Sequence, residues 1–173
     1  MLTVMQRLDP KRTTWHITWG TYGSRLHGDA RPTVDRTQTL YRRPFVERDE
    51  RFEQREKNLM TAPAVLLTNE QRLFVEAVMP NICKRGGWNY RICAAGPERD
   101  HVHVLSDLDR TVHGKDARRW MKRWLTEALD KRWTRPGSGS WWAEGGSAKV
   151  VADEQYLQNV FDYLFKQRAA AQR

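Results

Sequence analysis

Two histidines two residues apart carry the first chemical signal in this chain. They lie in Asp100-His101-Val102-His103-Val104-Leu105. Successive side chains of a strand point to opposite faces, so His101 and His103 would share one face and Val102 and Val104 the other. Such a pair can hold a divalent metal and still leave coordination positions open for a substrate. The pattern fits equally a partly exposed strand whose histidines ligate nothing. A second signal lies near the C-terminus. On a helical wheel Tyr156, Tyr163 and Gln167 fall within about 40 degrees of one another. They border an apolar stripe of Leu157, Val160, Phe161 and Leu164.

Tyr163 and Gln167 are four apart, one above the other on a helix. The residue four after Tyr156 is Val160, which cannot ligate a metal, so the amide partner singles out Tyr163. Two imidazoles and the Gln167 carbonyl can serve as ligands to a hard ion, with water and phosphate oxygens completing the shell. The matching reaction is attack by the Tyr163 phenolate on a phosphodiester. The nucleoside 3′-oxygen leaves, the 5′-phosphate stays as phosphotyrosine, and a 3′-OH can reverse the step. Free phenol ionises near pH 10, so a metal or positive field has to assist at neutral pH. Taken singly, either tyrosine also reads as a boundary aromatic with a wet hydroxyl.

The chain around these residues has 173 residues, the length of one domain with a core of its own. Thirty Lys+Arg against 21 Asp+Glu give a formal charge of +9, which favours a polyanionic partner, nucleic acid first. Cys83 and Cys93 follow no zinc-finger spacing and make no disulfide framework. The first residues are too short an apolar stretch for a signal peptide, and no apolar run is long enough to span a membrane. The expectation is a cytoplasmic protein with no membrane contact. Eight tryptophans exceed what a core alone needs and offer stacking platforms.

Residues 1–12 read as a loose basic leader. Thr13 to Trp19 alternate as a strand, with His16 placed to lie beside the histidine face if the strands are neighbours. A long excursion over about 20–69 contains His27, read as a surface residue, and a charged short helix near 47–57. A helix begins at Asn69 as its cap, buries Leu73, Phe74, Ala77 and Val78, and stops at Pro80. Trp88 to Ala95 alternates as a strand, and Gly96 to Asp100 turns it into the histidine strand. Asp100 is placed to hydrogen-bond a histidine ring or to serve the turn. A second helix over about 117–128 carries a stripe of Ala117, Trp120, Met121, Trp124, Leu125 and Ala128. Arg118, Arg119, Lys122 and Arg123 lie off it, within a segment from Arg110 to Arg135 of local charge +6, and read as nucleic-acid phosphate contacts. A strand near 147–151 follows, and Asp153 caps a helix over about 153–168. This order predicts an α+β fold of the split βαβ, ferredoxin-like kind. It has an antiparallel four-stranded sheet, two packed helices and an extra C-terminal helix free to cover the open face.

Together the two motifs resemble the HUH-type single-strand DNA transposases, most closely the REP-associated branch with one catalytic tyrosine. The resemblance spans about Thr13 to Gln167, loosely over the excursion. Asp100 to Leu105 corresponds to the family's His-hydrophobic-His strand and Tyr163 to Gln167 to its nucleophile helix. It implies Mg²⁺ or Mn²⁺ on His101, His103 and Gln167, Tyr163 as nucleophile, and single-stranded or hairpin DNA as substrate. Members are monomers or homodimers, with a monomer favoured here because nothing marks an interface. Arg99-Asp100 stands where members often have Pro-Asn, and Lys166-Gln167 where many have Asn-Pro. A hydrolase with three alternating histidines is excluded by Leu105. The alternative is a non-catalytic or domesticated single-stranded DNA- or RNA-binding domain of the same plan.

Overall fold

The computed structural model describes residues 6–24 and 49–169. The reading of His27, and most of the early excursion, lie outside them. The elements are β1 (Arg12–Gly20), α1 (Glu50–Leu59), α2 (Asn69–Arg85), β2 (Asn89–Ala95), β3 (His101–Asp109), α3 (Gly114–Asp130), β4 (Ser147–Val150) and α4 (Glu154–Gln167). The strands form one antiparallel sheet in the order β2-β3-β1-β4. That is the split βαβ arrangement, with α2 and α3 as its crossover helices and α1 inside the excursion.

Alternation along β1 and β3 divides the sheet between two cores. Trp15, Ile17 and Trp19 join Val102, Val104 and Leu108 on one face, against Val75 and Met79 of α2 and Ala117, Met121 and Leu125 of α3. On the other face Ile92, Ala94 and Leu105 meet Leu157, Val160 and Leu164 of α4. Each fully buried leucine contributes roughly 2 kcal/mol, enough to hold α4 on the face that the strands leave open. Asp153 caps α4 by accepting from the Tyr156 N–H at 2.7 Å.

Local structure departs from the expected pattern in six places. α2 turns Val75, Met79, Ile82 and Cys83 into the core, leaving Leu73, Phe74 and Val78 half-buried and Ala77 exposed. Thr68, not Asn69, caps α2, because its extended backbone lets it exchange hydrogen bonds with Gln71 in a capping box. The helix also runs through Pro80 to Arg85: a proline penalty of about 3 kcal/mol is offset by burying Ile82 and Cys83 beyond it. In β2 a bulge between Tyr90 and Ile92 breaks the alternation, sending Tyr90 to the helix layer and Ile92 and Ala94 to the α4 side. Along α3 the buried side is Gly114, Ala117, Arg118, Met121, Leu125 and Leu129, which leaves Trp120 exposed and takes Arg118 inside. Gly114 lets the start of the helix sit directly on the Trp15 ring, where a Cβ would clash. Lastly, residues from Gln6 onward are packed where a loose leader over 1–12 was expected. Leu8 joins the second core, and the Gln6 N–H donates to Gln158 of α4 at 2.8 Å.

Candidate active site

Register, not sequence proximity, assembles the histidine face. Thr18 of β1 stands opposite His103, and His16 opposite Leu105. The Thr18 hydroxyl lies 2.9 Å from His103 Nδ1, and His16 Nε2 lies 3.2 Å from the same nitrogen. Burial, with Lys149 adding to it, pushes the His16 imidazole down to about 4, so this ring is neutral at physiological pH. His101 and His103 are themselves buried, 5% and 8% exposed, with ring centroids 4.7 Å apart.

The hairpin turn sets the orientation of His101. Asp100 is buried and its carboxylate accepts a hydrogen bond from His101 Nδ1. The Asp100 carbonyl accepts from the Thr21 N–H at 2.8 Å and from the Ser24 hydroxyl at 3.1 Å. Next to it Arg99 has a left-handed backbone, φ 68°. It is held there by the Leu67 N–H donating to its carbonyl at 2.8 Å and by its own Nε donating to the Leu67 carbonyl at 2.6 Å. Gly96 backs the ring on its other side, where a Cβ would stand 2.6 Å from His101 Nε2.

Both imidazoles therefore use Nδ1 against the protein. A proton on each Nδ1, directed to Asp100 and Thr18, would leave a lone pair on each Nε2. This is the usual state of metal-binding histidines, whose second nitrogen is held by a carboxylate or hydroxyl. A second donor group overlaps the first: Glu98, Asp100 and His101 each offer one ligand atom within 4.8 Å of the others. The sequence assigned neither Thr18 nor Glu98 a part in the site, placing one on a strand face and the other in a turn. Thr18 was discoverable, since it shares the His16 face of an alternating strand.

α4 brings Tyr163 to this cluster. Its ring meets that of His103 edge-on, centroids 5.8 Å apart, and the residue is 47% exposed, so the phenol is open to a ligand. Gln167 follows one turn later, half-buried, as the last residue of the helix. The end of α4 is fastened by a residue the sequence did not flag. Glu76 of α2 is buried and accepts from the Ala169 N–H at 2.7 Å and from the Ala95 N–H of β2 at 3.0 Å. Four residues earlier, Arg72 donates to the Ala95 carbonyl at 3.0 Å.

The four cations expected to meet phosphate divide into two pairs. Arg118 is buried, its stem against Gly146. Lys122 Nζ donates to the carbonyls of Ala143 and Glu144, the latter at 3.0 Å, and burial with help from Arg118 pushes its ammonium down to about 8. Arg119 and Arg123 are exposed. All four belong to α3, across the sheet from the histidines.

No protein-family model and no curated protein matches the chain. Among solved structures it is similar to a REP-associated tyrosine transposase bound to a REP hairpin, with 11% identity, a TM-score of 0.48, and cover of 95% of this chain and 72% of that one. It is also similar to a candidate transposase from Deinococcus radiodurans R1, with 14% identity, a TM-score of 0.46, and cover of 96% and 98%. Likeness of this degree concerns shape, and the chemistry rests on the residues of this chain. Among the described residues no helix is long and apolar enough to cross a membrane.

Proposed function

We propose that the chain is a divalent-metal-dependent single-strand DNA endonuclease and strand transferase with Tyr163 as nucleophile, acting near hairpins and as a monomer. The observation that carries this reading is the approach of Tyr163 on α4 to His103 of its own sheet, 5.8 Å between rings, with His101 adjacent. The donor set fits an ion, because Asp100 and Thr18 occupy Nδ1 of the two histidines and Gly96 leaves room for the His101 ring to hold that orientation. His101, His103 and Gln167 would hold Mg²⁺ or Mn²⁺, which when bound polarises the phosphate and offsets charge on its oxygens. Tyr163 supplies the attacking oxygen. Its bond to phosphorus forms as the bond to the nucleoside 3′-oxygen breaks, the phenolic proton passes to solvent, and the 3′-oxygen leaves as a hydroxyl. Neutral His16 adds no positive charge beside His103.

The test is a denaturing gel of the protein with labelled hairpin oligonucleotides in Mg²⁺, Mn²⁺ or EDTA. A metal-dependent covalent adduct, lost in Y163F and retained in Y156F, is the expected result. Equal loss in both variants would overturn the choice of Tyr163. Binding without an adduct in either metal would favour the non-catalytic nucleic-acid-binding reading.

A further inference from the structure

The outer side of α3 interleaves aromatic and cationic side chains, away from the histidine face. Trp120 is 44% exposed. Its ring centroid lies 5.4 Å from that of Trp124, which stacks at 5.6 Å on Trp88. The Arg123 guanidinium sits 5.4 Å from the Trp120 ring centre, and that of Arg85 sits 4.7 Å from Trp124. Next to this ladder is an open cleft of about 520 Å³ lined by Arg119, Lys122 and Arg123, with Tyr22, Trp142 and Glu144 around it. Arg123 thus belongs both to the ladder and to the cleft. Asp116 pairs with Arg119 at 3.3 Å, and Glu127 is shared by Arg85 at 2.8 Å and Arg123 at 3.4 Å. Three guanidiniums face two carboxylates. Exposed pairs of this kind are weak and yield to an incoming phosphate.

We infer that this face of α3 binds an unpaired nucleic-acid strand, a base stacking on Trp120 and the flanking phosphates lying on Arg119 and Arg123 at the cleft. Every base offers a π-face, but only an unpaired base presents it to a protein ring, and guanidiniums beside the ring supply the charge that tracks the backbone. Neither the core nor the proposed strand cleavage uses Trp120. The helix layer and the sheet lie between this surface and Tyr163, so the two hold different stretches of a strand. The surface also stands whether or not the chain cuts DNA.

The test uses full-length Y163F, which cannot form the adduct, titrated with a fluorescein-labelled oligothymidylate and with the same oligonucleotide annealed to oligoadenylate. Polarisation reports binding, and tryptophan emission reports stacking. W120A is expected to lose about tenfold in affinity for the single strand and much less for the duplex, with W120F restoring most of it. R119A and R123A should each lower the slope of log affinity against log salt by about 0.7. Unchanged single-strand binding in W120A, with its circular dichroism intact, would overturn the inference. So would an equal loss for single and double strands, or an effect of W120A confined to self-association, which would make the face a contact between copies. An adduct in the wild-type chain with unchanged W120A binding would remove this surface and leave strand cleavage standing. Binding that depends on Trp120 without any adduct would do the reverse.

Discussion

Gly96 stands where a Cβ would press on His101 Nε2 from 2.6 Å, so its absent side chain is part of the site. G96A is expected to displace the imidazole and weaken Mn²⁺ binding by tenfold or more in calorimetric titration, with little change in secondary structure. Unaltered affinity would place the ion elsewhere. T18V removes the hydroxyl at His103 Nδ1 and should lower Mn²⁺ affinity roughly 10- to 100-fold. The two overlapping donor groups separate in the same assay. Q167A is expected to weaken Mn²⁺ more than E98Q does, and the opposite order would move the ion to the Glu98, Asp100 and His101 side. The histidines and tyrosine were legible from spacing alone, since two residues apart in a strand and four apart in a helix each fix a face. Thr18 was legible only as far as its face, because its pairing with His103 arises from strand register, and the place of Glu98 arises from turn shape.

At the level of elements, the site depends on where α4 ends. Glu76 is the acceptor for two buried N–H groups from different parts of the chain, Ala95 and Ala169. E76A strands both donors, and at about 1–3 kcal/mol each it should lower unfolding free energy by roughly 2–6 kcal/mol. E76Q keeps an oxygen for them and should lose clearly less. Hydrogen exchange at the C-terminal turn of α4 should quicken in E76A before exchange in β3 does. Equal acceleration in both would show general destabilisation in place of a local fastening. The longer helices and the first three strands were readable from periodicity and α1 from its charge pattern, whereas details followed tertiary packing. Pro80 was overruled by Ile82 and Cys83, β2 took a bulge to serve two cores, and α3 buried Arg118 while leaving Trp120 exposed.

Across the whole molecule, the order of elements and the resulting sheet were legible, because one short hairpin turn and two helical crossovers leave few ways to pair four strands. The cysteines report on its integrity. Burial pushes the Cys83 thiol up to about 12 and Cys93 well above its ordinary range, which leaves about one thiolate in ten thousand at pH 8 for Cys83. Neither thiol should react with an aromatic disulfide reagent in the native protein, and both should react on denaturation, at a rate that follows global unfolding. Fast labelling of either under native conditions would show that the helix-side core opens locally. The side chains around Ala95 also have a bearing on solubility. β2 is the outermost strand at its end of the sheet, where another chain could add a strand. The Cys93 N–H is already taken by the Tyr90 hydroxyl, the Ala95 N–H by Glu76 and the Ala95 carbonyl by Arg72. A misfolded neighbour finds no ladder to continue there, so the residues that fasten the tyrosine helix also guard the sheet against aggregation.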